Sequence, residues 1–163
     1  MFSARLRSAW VPGLILIVNG ATHPAVGQDS LRFEYAVKII CGFPDRPALA
    51  PGRYFTAINI HNPSTSPKGI IFRKKFALTG PSESSVMPTP FRFNRLGPDY
   101  ALEVDCTNRD LLERKFVKGF AVIQSPVELD VVAVYTAGST TDSLRVMDLE
   151  RVPPRPMLPV PVR

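Results

Sequence analysis

The stretch FVKGFAVIQSPVELDVVAVYTA, residues 116–137, decides the fold. It predicts two apolar strands joined at Ser125-Pro126 and lying at the centre of a β-sheet. From Val127 onward, Val127, Leu129, Val131, Ala133 and Tyr135 share one face at the two-residue period of a strand, with Glu128, Asp130 and Thr136 on the other. Val132 and Val134 join the second face, so it starts polar and becomes apolar. Proline has no amide hydrogen for a ladder, so a strand break, bulge or edge crossing belongs at Pro126.

Working outward, the same reading predicts further short strands. On the N-terminal side they are Phe33 to Cys41, residues 53–61 (RYFTAINIH) and residues 69–78 (GIIFRKKFAL), with turns at Gly42-Phe43-Pro44-Asp45, Pro51-Gly52 and Asn62-Pro63-Ser64. In the third of these, Lys74 falls among the apolar set Ile70, Phe72, Phe76 and Leu78, which requires either a bulge or a lysine stem lying over the sheet edge. Phe91 to Asn94, behind Pro88 and Pro90, reads as a short edge segment, and ALEVDC leads to Cys106. Thr107 or Asn108 is placed to cap a brief helical turn near 108–115, with Leu111, Leu112 and Phe116 as its apolar positions. On the C-terminal side, Leu144 to Val152 has no cleanly apolar face and reads as an edge strand. Many short strands and almost no helix predict an all-β fold, an antiparallel β-sandwich of about seven or eight strands, whose immunoglobulin-like character is what a resemblance given below implies.

Residues 1–27 carry Arg5 and Arg7, an apolar run from Ala9 to Val18 and the small residues Ala25 and Gly27, the layout of a signal peptide cleaved after Gly27 or Ala25. The run is shorter than the roughly 20 residues that span a bilayer, and Pro12 and Gly13 interrupt it, so no stable membrane insertion is expected after cleavage. Residues 28–152 then form one domain, and the proline-dense residues 153–163 an extended tail outside the core. Loss of Arg5 and Arg7 lowers the net charge from +6 to +4, a mild positive balance that favours an acidic envelope partner. Export argues against nucleic acid.

Cys41 and Cys106 both survive cleavage, and each shares the parity of its strand's apolar set: Phe33, Tyr35, Val37 and Ile39 for the first, Leu102 and Val104 for the second. In an exported chain they read as a disulfide, with two buried thiols as the alternative.

YFTAINIHNPS (54–64), FRKKFAL (72–78), LGPDYALEVDC (96–106) and the opening stretch together resemble a group of exported bacterial proteins of unknown function, across about Tyr35 to Pro154. That resemblance implies no activity. More loosely, the chain is similar to immunoglobulin-like and fibronectin-like modules, but no tryptophan lies between the cysteines and Val104 stands where a tyrosine corner would put tyrosine.

Few residues have the types that chemistry needs. His61 is the one histidine after the leader, a lone base or ligand, or simply a side chain bonded to its turn. The pairs Glu103/Asp105 and Glu128/Asp130 have the make-up of a calcium site or a glycosidase pair, but they read more simply as a charge ladder against Arg73 and Lys75 on a neighbouring strand. The basic set Lys68, Arg73, Lys74, Lys75, Arg92 and Arg95 suits an anionic polymer or a solvated face; Arg73, Lys75, Arg92 and Arg95 are the candidate interaction residues. Tyr54, Phe55, Phe91 and Phe93 are possible stacking surfaces for a sugar, and Pro153 to Pro156 a possible polyproline ligand. The expectation is a non-enzymatic envelope module, interacting or structural, with no cofactor or metal and with an envelope protein or anionic polymer as partner. A carbohydrate- or small-ligand-binding domain and a carboxylate-dependent hydrolase are the alternatives.

Overall fold

The structure, a computed structural model, describes residues 31–44, 49–80, 84–138 and 144–157. The expected leader and the last six residues of the tail lie outside the described residues. The described residues are all-β, nine strands in one antiparallel hydrogen-bonded network. They are β1 (Phe33–Gly42), β2 (Arg53–His61), β3 (Ile70–Leu78), β4 (Arg92–Leu96), β5 (Ala101–Asp105), β6 (Phe116–Ser125), β7 (Asp130–Gly138), β8 (Leu144–Arg151) and β9 (Arg155–Pro156).

The strands run in the order β4-β3-β6-β1-β2-β7-β8, with β5 on β2 and β9 on β1. β1 pairs with β6 along its whole length, but meets β2 only at Gly42↔Tyr54. Beyond that point β2 turns its edge to β5, from Ala57↔Asp105 to His61↔Ala101, while β7 lines its other side. Gly42 has a φ of 92°, a region that favours glycine, and a Cβ there would collide with the carbonyl oxygen of Lys115. Thr56 fills the gap where the two strands part: its hydroxyl accepts from the amide of Ile40 and donates to its carbonyl, both at 3.0 Å.

Alternation places the core. Tyr35, Val37, Ile39 and Cys41 of β1, Ile58 and Ile60 of β2, Phe72 and Phe76 of β3, Val117, Ala121 and Ile123 of β6, and Val131 and Ala133 of β7 are buried in one apolar cluster. The disulfide Cys41–Cys106 joins it, with Cα atoms 5.5 Å apart, and ties β1 to the end of β5. Disulfides persist in a non-reducing environment. No helix among the described residues is long and apolar enough to cross a membrane.

Three expectations change. The segment near 108–115 is not a helical turn but a series of tight turns, closed by Asn108 N–H to Asp105 O, Leu111 N–H to Asn108 O and Arg114 N–H to Leu111 O. Side chains explain this, because the carboxylate of Asp105 takes the Thr107 amide and the amide oxygen of Asn108 takes the Asp110 amide, leaving only Leu111 to plug the core. β7 starts at Asp130 rather than Val127, because the Leu129 amide and carbonyl are both bonded to the Tyr35 hydroxyl instead of a neighbouring strand. The described start of the tail runs along the domain: Arg155 and Pro156, though exposed, pair with Glu34 and Phe33, and the Met157 amide donates to Arg32 O at 2.7 Å.

β3 keeps an unbroken register with both β4 and β6, so Lys74 needs no bulge. It is 7% exposed, with its ammonium 5.6 Å from the Phe76 ring centre. Burial lowers its pKa, and Asp110 partly offsets the effect.

Candidate functional site

The strand order β4-β3-β6-β1 turns one set of side chains to the core and the alternate set outward. The outward set consists of Phe93 and Arg95 on β4, with Phe91 just ahead of that strand; Ile71, Arg73, Lys75 and Ala77 on β3; Lys118, Phe120, Val122 and Gln124 on β6; and Glu34, Ala36, Lys38 and Ile40 on β1. Five cations therefore share this face with the single carboxylate of Glu34.

The cations are held against rings. Arg73 and Lys75 flank Phe91, at 4.2 and 4.6 Å from its centroid, and Lys38 lies 5.1 Å from that of Phe120. Such contacts are favourable by about 0.5–1 kcal/mol at exposed sites, enough to bias the orientation of long side chains. Arg73 Nε also donates to Gln124 Oε1 at 2.8 Å, and Gln124 Nε2 donates to Glu34 Oε2 at 2.8 Å. This relay across β3, β6 and β1 engages the face's one carboxylate. Ile71, Phe93 and Phe120 stay exposed at 47%, 61% and 41%, so the face is apolar as well as basic.

The four candidate cations do not stay together. Arg73, Lys75 and Arg95 share the outer face, whereas Arg92 lies on the opposite side of β4, beside Lys74, and bonds Asp110 at 3.1 Å. Lys68 sits exposed in the turn before β3. The sequence reading missed Lys38, Lys118 and Phe120. Their parity was visible in β1 and β6, but not that β6 would lie between β3 and β1. Of the possible stacking aromatics, Phe91 and Phe93 belong to this face, whereas Tyr54 and Phe55 belong to β2.

The expected ladder of Glu128 and Asp130 against Arg73 and Lys75 does not form, because β7 is flanked by β2 and β8, not β3. Asp130 instead accepts from His61 Nδ1 at 3.1 Å and from Arg151 at 3.4 Å, and Glu128 is exposed ahead of the strand. Glu103 is exposed opposite Asn59, and Asp105 accepts from the amide and hydroxyl of Thr107. His61 Nε2 meets Asp99 at 3.0 Å, so the ring is clamped between a strand start and the turn before β5. These bonds, Asp130 first and Asp99 second, raise the His61 pKa above its usual 6.5. Asn62 secures the same turn, donating to Gly97 O at 2.8 Å and accepting from the Ser64 amide. Among the described residues no group of three or more His, Cys, Asp or Glu side chains is placed to hold a metal ion.

A cleft of about 320 Å³ opens among β1, β2, β7 and β8, with Lys38, Ile40, Tyr54, Tyr135, Asp148 and Glu150 in its walls. The Tyr135 hydroxyl donates to Glu150 at 2.7 Å, and burial, together with that carboxylate, pushes the phenol pKa up. Comparison with protein-family models, with curated proteins and with solved structures returns no match.

Proposed function

We propose that this chain is an exported, non-catalytic module of the cell envelope that binds an anionic polymer through the outer face of β4-β3-β6-β1. The observation that carries the reading is Arg73 and Lys75 flanking Phe91 on a face with five cations and one engaged carboxylate. Pre-oriented cations lose less entropy on binding, and the exposed Ile71, Phe93 and Phe120 add contact area that water does not compete for. Export is supported by the leader-like residues 1–27 and by the disulfide. The non-catalytic reading is supported by the structural partners of His61, Asp105 and Asp130.

In the same proposal the domain is an immunoglobulin-like sandwich of two layers, β4-β3-β6-β1 and β5-β2-β7-β8. The single point of pairing between β1 and β2 supports this, as does the bond from Tyr35 of β1 to Leu129, ahead of a strand that is not its sheet neighbour.

The test is binding of the oxidised chain to dextran sulfate, with uncharged dextran as control. Binding to the sulfated polymer that weakens steeply with salt, and falls about tenfold in Arg73→Ala/Lys75→Ala, is expected. Equal retention on both polymers, or an unaffected double variant, overturns the reading.

A further inference from the structure

β8 is bonded along one edge to β7, and among the described residues no strand pairs with its other edge. Such an edge leaves amide donors and carbonyl acceptors that can template another strand, although the Leu149 amide already donates to Asp148 Oδ1 at 2.9 Å. Its side chains alternate. Met147 and Leu149 are exposed at 63% and 61% on one side, and Asp148 and Glu150 stand on the other. The acidic side borders the cleft in whose wall Tyr135 donates to Glu150. The register shift in the β7–β8 ladder falls at Ala137/Gly138, opposite the start of β8, so the pairing is regular from Val146 to Arg151.

We propose that the free edge of β8 accepts an extended segment of a partner protein as an added strand, and that this segment carries basic residues at alternate positions. Its backbone completes the open ladder. Its basic side chains lie over Asp148 and Glu150, where one can enter the cleft, and its intervening apolar side chains extend the surface of Met147 and Leu149. The charge pattern selects this occupant over a second copy of the chain. Antiparallel pairing of β8 with itself would put the Asp148 and Glu150 of both copies on the same side of the joint, opposite or diagonal to one another, and like charges so placed are destabilising. The site meets the basic face at Lys38 in the cleft wall but includes neither Arg73 nor Lys75, so the two tests read different residues.

The test is a titration of the isotope-labelled, oxidised chain with an acetylated eight-residue peptide of alternating lysine and valine, read by amide chemical shifts. Shifts centred on β8 are expected, with no comparable response to a glutamate–valine peptide. Asp148→Asn with Glu150→Gln should weaken binding about tenfold, from the loss of two cross-strand charge pairs. Two further peptides need no protein variant: one N-methylated at every lysine, the other at every valine. Only one edge of an added strand faces β8, so one of the two should lose binding and the other keep it. Shifts centred elsewhere, an equal response to the acidic peptide, or no difference between the methylated peptides overturns the proposal.

Discussion

The hydroxyl of Tyr35 in β1 accepts a hydrogen bond from the amide of Leu129 at 2.6 Å and donates one to the carbonyl of the same residue at 3.0 Å. One side chain thus satisfies both backbone groups of a buried residue 94 positions away, just where the chain leaves Pro126 and begins β7. Burial raises the phenol's pKa, so it remains neutral and able to do both.

Tyr35→Phe keeps the ring and removes only the hydroxyl, leaving a buried donor and a buried acceptor without partners. A loss of about 2 kcal/mol is expected, within the range for unmade buried hydrogen bonds. Urea unfolding of the oxidised chain checks it. A change below about 0.5 kcal/mol would show that water reaches Leu129 in place of the phenol.

The Cys41–Cys106 bridge closes a sequence separation of 65 residues. On chain-entropy grounds, Cys41→Ser should cost about 4 kcal/mol, and reductant should bring the native protein close to the variant's stability. Denaturant melts with and without dithiothreitol measure both. The bridge does more than shorten the unfolded chain, because Cys106 Sγ also accepts from the Thr56 amide at 3.1 Å where β1 and β2 part.

His61 has its pKa raised by Asp130 and Asp99, so its stabilising contribution is complete below the unfolded value near 6.5 and is lost as pH rises through the higher folded value. The difference in melting temperature between the native chain and His61→Gln should therefore shrink as pH increases from 6 toward 9. A difference that is flat or widens with pH would show that the imidazole is not held as a cation between the two carboxylates.

Lys74 has the opposite sign. Its pKa is lowered by burial, so the charged form is disfavoured in the folded state, and stability should rise with pH between the folded value and the usual 10.5. Lys74→Met keeps the length of the stem and removes the charge. We expect a gain of up to about 1 kcal/mol, since replacing a poorly compensated buried charge with an apolar group is commonly neutral or stabilising. Thermal unfolding at pH 7 measures it, and a clear loss would mean that the ammonium's interaction with Asp110 outweighs its desolvation.

Much of the architecture was legible before any coordinates because a strand's period is local. Alternation in residues 33–41, 53–61 and 69–78 marked these strands to within a residue at each end, and the parity of Cys41 and Cys106 pointed to a bond between them. The same alternation marked Arg73 and Lys75 as outward. It overreached where a side chain competed with the ladder for backbone bonds: the Tyr35 hydroxyl delays β7 to Asp130, and the Asp105 and Asn108 side chains break 106–115 into turns.

Only the tertiary structure decided which strands are neighbours. Parity says that Lys38, Arg73 and Phe120 point away from the core, but not that they point away together. That follows from β6 pairing with β3 on one side and β1 on the other. The pairing of β7 with β2 likewise sends Asp130 to His61 instead of to Arg73, and its pairing with β8 leaves Asp148 and Glu150 on an open edge. The physical reason is range. Side-chain alternation is set by the geometry of consecutive residues, whereas strand order is set by which apolar faces bury one another across tens of residues of intervening chain, and charges on the outer surfaces contribute too little to direct that choice.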